Sequence, residues 1–134
     1  MFGFSFTRRD LGDYMHRWIL KTPFGMIRLH KILRSDDDRH FHDHPFDFVS
    51  FILHGHYVEV TPDGKRSFFD FDINRKRAEE LHRLVLPEGG PVWTLVFTGP
   101  KRRSWGFQTE AGWVHWREYV ADRDYSRHGE RSAP

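Results

Sequence analysis

Three histidines at alternate positions mark the segment of residues 40–44 (HFHDH), which Pro45 follows directly. Alternate residues of a β-strand point to the same face, so an H-x-H pair directs two imidazoles into one space. Neutral imidazole is the commonest protein ligand for zinc, iron, nickel and copper. On a face that lines a pocket, the pair would form half of a metal site. On a face turned to water, it would be a polar patch.

A further histidine, His82, heads another predicted strand later in the chain. The chain contains no cysteine, so any transition-metal site must use His, Asp or Glu. Two histidines from one strand and one from another would give a three-histidine site. Such a site leaves positions open for water or substrate, which a catalytic metal needs. The alternatives are a His-rich surface loop and core histidines bonded to the backbone.

The elements that would position these residues are predicted to be strands. Short apolar or alternating segments separated by turn residues predict roughly nine strands, the spacing typical of an all-β sandwich or barrel. The strongest are residues 46–53 (FDFVSFIL) and 92–97 (VWTLVF). A further strand is predicted over residues 67–73, and no strand is predicted for the charged segment 74–80.

One helical stretch is predicted near the N-terminus. Leu11, Tyr14, Met15 and Trp18 are spaced i, i+3, i+4, i+7, which suits a short amphipathic helix with Asp10 as its N-cap. The same segment is compatible with a helix that gives way to a strand near Trp18.

Length and charge bound the organisation and the partners. The 134 residues suit one domain, assigned to residues 1–121, with a polar tail over 122–134. A net charge of +2 argues only weakly for nucleic acid, so no nucleic-acid partner is expected, and the basic run at 101–103 is interpreted as a solvated loop.

Residues 1–10 lack the apolar core of a signal peptide or membrane span, so we expect a cytoplasmic protein without membrane association.

Residues 42–55 (HDHPFDFVSFILHG) resemble the first motif of the cupin superfamily, an H-x-H pair, a nearby Glu and an apolar strand that ends in Gly. His82 and the strand VWTLVF are similar to the second motif. The pieces HDHPF, HGHYVEV, ELHRL, PVWTLVFTGPKRRSWGF and GWVHWREY resemble, more closely, a family of small uncharacterised cupin-like proteins of bacteria and phages. The resemblance implies a double-stranded β-helix, the cupin-type jelly-roll barrel, and a homodimer. It also implies a divalent metal (iron, zinc, nickel or manganese) held by His42, His44 and His82.

The chain departs from both motifs: the expected Glu of the first falls on Phe48, and Glu79-Glu80-Leu81 stands where the second has a Gly before its His. Asp47 and Glu59 are therefore weaker candidates for a fourth ligand. His40 is a weaker candidate as well, because cupin spacing selects its two neighbours and leaves it at the rim. Tyr57 and Glu59 are candidates for a catalytic acid or base.

The sequence thus leads to a metal-binding cupin-like protein with a small-molecule ligand in its barrel. Arg28, His30 and Tyr57 are interpreted either as binding groups of that cavity or as ordinary half-buried strand residues. Oxygenase, isomerase and hydrolase chemistry all stay open, because a fold does not fix a function. The alternative is a non-catalytic ligand-binding or protein-interaction module.

Overall fold

A computed structural model describes residues 3–35 and 40–119. Within these ranges the chain forms twelve β-strands and one helical turn at residues 116–119. In chain order the strands are β1 (Ser5–Leu11), β2 (Met15–Thr22), β3 (Gly25–Ile32), β4 (Phe41–His42), β5 (Phe48–His54), β6 (Tyr57–Thr61), β7 (Gly64–Phe68), β8 (Ile73–Lys76), β9 (Arg83–Val85), β10 (Val92–Thr98), β11 (Gly106–Thr109) and β12 (Gly112–His115). The predicted tail over 122–134 lies outside the described residues.

The strands form three antiparallel sheets. The largest has the order β1-β2-β3-β10-β5-β8, and the two smaller ones have the orders β12-β11-β4 and β7-β6-β9. An isolated antiparallel bridge between His42 and His82 links the two smaller sheets. The predicted all-β jelly-roll architecture is therefore confirmed. No helix in the described ranges has the length and apolarity that a membrane-spanning helix requires.

The large sheet turns alternate residues toward a cavity inside the molecule. Its strand register aligns Arg28 with Val96, Val96 with Ser50, and Ser50 with Asn74, and all four line the cavity. An apolar core closes one end of the interior. Its buried members are Met15, Ile32, Ile52, Tyr57, Phe68, Leu86 and Val92.

Gly55, the glycine that ends the first cupin-like motif, lies where two segments approach closely. It has a φ of +114°, and a Cβ at this position would stand 3.0 Å from the Pro91 carbonyl oxygen and from the Val92 Cα. A side chain would therefore be strained and crowded at once. The glycine lets the chain leave β5 tightly against the start of β10.

The predicted N-terminal helical stretch is wrong, because the segment forms the β1–β2 hairpin. Met15 and Ile19 are buried on the inner face of β2, while Trp18 lies on the other face, paired with Arg8 and Leu29. A strand with apolar residues on both faces reproduces the i, i+3, i+4, i+7 spacing of a helix. Because β2 forms hydrogen bonds with β1 on one side and β3 on the other, the segment is stable as a strand.

The strand predicted over residues 67–73 is misplaced. The chain instead forms a β6–β7 hairpin that ends at Phe68, and a separate strand, β8, begins at Ile73. Three of the four residues of β8 lie in the charged segment 74–80, for which no strand is predicted. A charged segment can form this strand because its residues alternate between the two faces: Asn74 and Lys76 are buried on the inner side, and Arg75 between them is exposed.

Candidate metal centre

Backbone pairing brings together the three histidines that the sequence selects. The amide of His42 donates to the carbonyl of His82, and the amide of His82 donates to the carbonyl of His42, each at 3.0 Å. Such a hydrogen-bonded antiparallel pair turns both side chains to the same face. His44 follows two residues after His42 and is fixed by its own amide, which donates to the Ala78 carbonyl at 2.9 Å.

His42, His44 and His82, which we call the histidine trio, form a nearly equilateral triangle. Their ring centroids lie 4.8 to 5.1 Å apart. One ring nitrogen from each lies within 4.8 Å of the other two. Imidazole nitrogens bind zinc at about 2.0–2.1 Å, and three nitrogens around one ion then lie roughly 3–3.5 Å apart, so small side-chain movements close the set. The arrangement is consistent with a divalent metal.

The burial and protonation of His44 suit a metal ligand. Its Nδ1 atom is buried and has no hydrogen-bond partner among the described residues. Burial, followed by the neighbouring imidazoles of His82 and His42, holds the pKa of His44 well below its ordinary value. The ring is therefore neutral at neutral pH, which is the form that binds a metal.

Glu59 lies behind the trio rather than within it. Its Oε2 accepts a hydrogen bond from the Nδ1 of His82 at 2.6 Å and another from the Asn74 side-chain amide at 3.1 Å. Its Oε1 lies 3.2 Å from the Lys76 ammonium. The bond to Nδ1 leaves the Nε2 of His82 for a ligand. A carboxylate in this position orients a metal-binding histidine and increases its basicity.

The charge of Glu59 is stabilised although the side chain is buried. Burial alone raises the pKa of this carboxyl. The hydrogen bond and charge of His82, the Asn74 amide and the Lys76 ammonium together outweigh burial and lower the pKa to about 2. Glu59 is thus an anion under ordinary conditions. Both of its oxygens are engaged by protein groups, which suits a residue that positions His82.

Asp43, between the first two histidines, fixes the strand that carries them. It is 3% exposed and points to the opposite side from its neighbours. Its Oδ1 accepts the Gly106 amide at 2.7 Å, its Oδ2 accepts the Trp113 indole N–H at 2.9 Å, and Oδ2 also pairs with Arg103 at 3.0 Å. Sequence reasoning missed this role. The available signal was an acidic residue enclosed in an H-D-H run.

The basic run at 101–103 takes part in internal contacts instead of forming only a solvated loop. Arg102 pairs with Asp47 at 2.8 Å and with Glu79 at 2.7 Å. Arg103 donates to the His44 carbonyl at 3.0 Å. These contacts hold the turn after His44 in place.

The other two weaker ligand candidates, Asp47 and His40, are engaged by protein groups outside the trio. Asp47 is exposed and accepts hydrogen bonds from the Ala78 amide and Arg102. The His40 ring lies 3.0 Å from the Tyr119 hydroxyl through Nδ1 and 3.0 Å from Glu110 through Nε2. Both of its ring nitrogens therefore have protein partners at the rim.

Phe48 and Tyr57 complete the wall around the trio. The Phe48 ring stands 4.6 Å from the His44 ring, so an apolar side chain contacts the trio where the cupin motif has Glu. The Tyr57 hydroxyl accepts a hydrogen bond from Asn74 at 3.0 Å, and burial raises the pKa of this phenol. Tyr57 is therefore protonated, and its hydroxyl can donate a hydrogen bond to a ligand in the cavity.

The fold is a jelly-roll barrel of the kind seen in solved cupin structures. No protein-family model and no curated protein matches this chain. Its fold is nevertheless similar to those of solved cupin structures.

A cupin-2 domain protein from Rhodospirillum rubrum is 15% identical, has a TM-score of 0.62, and aligns over 94% of this chain and 87% of its own. A sugar phosphate isomerase of the cupin superfamily from Silicibacter pomeroyi is 15% identical, with a TM-score of 0.59 and 82% and 87% coverage. KdgF from a Halomonas species is 20% identical, with a TM-score of 0.58 and 71% and 87% coverage. At these identities the likeness concerns the fold.

Proposed function

We propose that this chain is a metal-dependent enzyme that acts on a small molecule inside the barrel. The observation that carries the proposal is the trio itself, three ring nitrogens within 4.8 Å of one another on the wall of a cavity of about 130 Å³. Three protein ligands leave coordination positions for water or substrate. Similarity to the fold of a sugar phosphate isomerase is compatible with the proposal but does not select a reaction.

Each residue of the site has a distinct role in this proposal. His42, His44 and His82 hold a divalent ion, which when bound supplies Lewis-acid chemistry or activates water. Glu59 keeps His82 in the tautomer that presents Nε2. Tyr57 donates a hydrogen bond to the ligand, and its high pKa suits an acid rather than a base. Phe46 and Phe48 restrict the access of water.

Metal content tests the ligand set. The purified chain is to be reconstituted separately with iron, zinc, nickel and manganese, and compared with the His44→Ala and His82→Ala variants. We expect one ion per chain in the wild type and loss of binding in both variants. His40→Ala is the matched control and retains the ion, since His40 is bonded to Glu110 and Tyr119. Absence of every metal from the folded wild type would overturn the proposal.

A second candidate is a non-catalytic ligand-binding or protein-interaction module, favoured by Phe48 in place of a carboxylate. The two candidates differ in whether the ion has open positions. Manganese-loaded protein should enhance the relaxation of solvent water protons if water exchanges at the ion, as an enzyme requires. A loaded protein with no enhancement would favour the module.

A further inference from the structure

Three side chains on the inner face of the large sheet have buried nitrogens without a hydrogen-bond partner among residues 3–35 and 40–119. These are the Nε atoms of Arg17 and Arg28 and the Nε2 atom of His30. The register pairs Arg17 with His30 directly, and Arg28 lies two residues from His30 on β3. Buried polar atoms without a partner are uncommon in native proteins, and a cluster of them requires an explanation. We call Arg17, Arg28 and His30 the arginine end of the cavity.

The arginine end carries positive charge without a compensating anion. Within residues 3–35 and 40–119, no carboxylate forms an ion pair with Arg17 or Arg28. The contacts of the Arg28 guanidinium are weak, 3.7 Å to the Met26 sulfur and 5.1 Å to the centre of the Phe46 ring. Burial and the charge of Arg17 lower the pKa of Arg28 only to about 10, so it remains a cation.

Arg28 as a whole is half-buried, whereas the charged groups that are fully buried within the described residues are paired. Lys76 pairs with Glu59, and Asp43 pairs with Arg103. An isolated buried charge is costly, and proteins keep one where it has a function. The absence of a protein anion at Arg28 within the described ranges therefore points to an anion that comes from outside.

Arg28 and His30 face the same cavity as the histidine trio. All five side chains line it, together with the rings of Phe46 and Phe48. The two ends are connected by aromatic contacts: the Arg28 guanidinium lies 5.1 Å from the centre of the Phe46 ring, the Phe46 and Phe48 ring centres are 6.4 Å apart, and the Phe48 ring stands 4.6 Å from the His44 ring. One small molecule can therefore contact both ends.

We propose that the cavity binds a small carboxylate, whose charge is held by Arg28 with a hydrogen bond from His30. This proposal deepens the proposed function by naming the chemical class of the substrate, and it rests on the same cavity. Arg17, behind His30, adds to the positive potential.

The chemistry of the lining favours a carboxylate over a phosphate. A guanidinium can bind either anion through two oxygens, so the preference comes from charge: Arg28 is the one arginine that lines the cavity within the described residues, which matches a monoanion. Burial and the neighbouring charge of Arg28 lower the pKa of His30 to about 3, so this ring is neutral and brings no second charge for a dianion. The cavity of about 130 Å³ is similar to cavities of roughly 150 Å³ that admit benzene, so the guest is small.

Binding measurements on metal-free protein test the proposal directly. Acetate, glycolate and benzoate are titrated against the wild type and Arg28→Met by NMR, each beside its neutral amide as the isosteric control. We expect at least one acid to bind, its amide to bind about tenfold more weakly or worse, and Arg28→Met to lose the preference. Arg75→Met removes a charge from the outer face of the same sheet and leaves binding unchanged. Equal binding of acid and amide, or phosphate binding tighter than any of the acids, would overturn the proposal.

Thermal stability separates a ligand-binding role from a structural one. If Arg28 is held unpaired for a ligand, Arg28→Met removes a buried charge and raises the melting temperature of the ligand-free protein. A large fall in melting temperature would assign Arg28 to the architecture and contradict the proposal.

His82→Ala distinguishes failure of this proposal from failure of the proposed metal site. This variant should lose the metal and keep the Arg28-dependent preference for acids over amides in metal-free protein. If the wild type binds metal but shows no Arg28-dependent preference for acids, the carboxylate proposal is wrong and the metal site is unaffected. If it shows the preference but binds no metal, the metal site is wrong and the carboxylate proposal is unaffected.

Discussion

At the histidine trio each buried charged side chain has a partner, whereas at the arginine end two guanidiniums lie without a carboxylate from the described part of the chain. Glu59 lies between His82, Asn74 and Lys76, and its pKa falls to about 2 as a result. Arg28, on β3 of the large sheet, contacts a sulfur and an aromatic ring. The difference indicates that the protein itself balances the charges around the trio, whereas the charge of Arg28 is not balanced by the described residues.

The largest expected effect comes from neutralising the anion behind the trio. Glu59→Gln leaves the buried Lys76 with only Glu80, at 3.7 Å, and should lower the free energy of unfolding by about 3 kcal/mol. It should also weaken metal binding about 10–100-fold, because His82 loses its orienting carboxylate. Chemical denaturation and competitive zinc titration measure the two effects.

A double variant separates the two consequences of that change. Adding Lys76→Met to Glu59→Gln removes the unpaired ammonium, so stability should recover while metal affinity stays low. Recovery of both, or an unchanged zinc affinity in the single variant, would show that Glu59 serves only to neutralise Lys76.

The next largest effect is a pH dependence of the free energy of unfolding that arises from His30 at the arginine end. The folded protein keeps His30 neutral down to a pKa of about 3, while the unfolded chain binds a proton below about 6.5. Stability therefore decreases as the pH falls from 6.5, by about 2 kcal/mol at pH 5 from this residue. His30→Gln should flatten that part of the profile in metal-free protein.

Thr94, which pairs with His30 on the neighbouring strand, supplies the control for the pH experiment. Thr94→Val should shift the free energy of unfolding by a similar amount at every pH and leave the slope unchanged. A slope that His30→Gln leaves intact would mean that His30 is not kept neutral by its surroundings.

The smallest effect comes from restoring the carboxylate that the cupin motif contains. Phe48→Glu places an acid beside His44 and should tighten zinc binding about tenfold, since a fourth ligand becomes available. Phe48→Gln has the same size without the charge and should not tighten it. Equal zinc affinities in the two variants would show that position 48 does not reach the ion.

The fold class could be predicted from local strand signals, and the resemblance to the two cupin motifs selected His42 and His44 over His40 and added His82. The H-x-H alternation fixes a common face for His42 and His44, and apolar strands indicate a barrel. The N-terminal hairpin could not be predicted, since apolar residues on both faces of β2 imitate a helix. The role of Glu59 depends on Asn74 and Lys76, which reach it from another sheet and lie in a segment whose charge argues against a strand.

Metal coordination tests the central claim most directly. X-ray absorption spectroscopy on zinc-loaded wild-type protein should show three imidazole nitrogens at about 2.0–2.1 Å together with a light ligand from solvent. If the trio is the metal centre, His82→Ala abolishes this signature and His40→Ala preserves it. A zinc shell with fewer than three imidazoles in the wild type, or the same shell in His82→Ala, would contradict a metal centre at His42, His44 and His82.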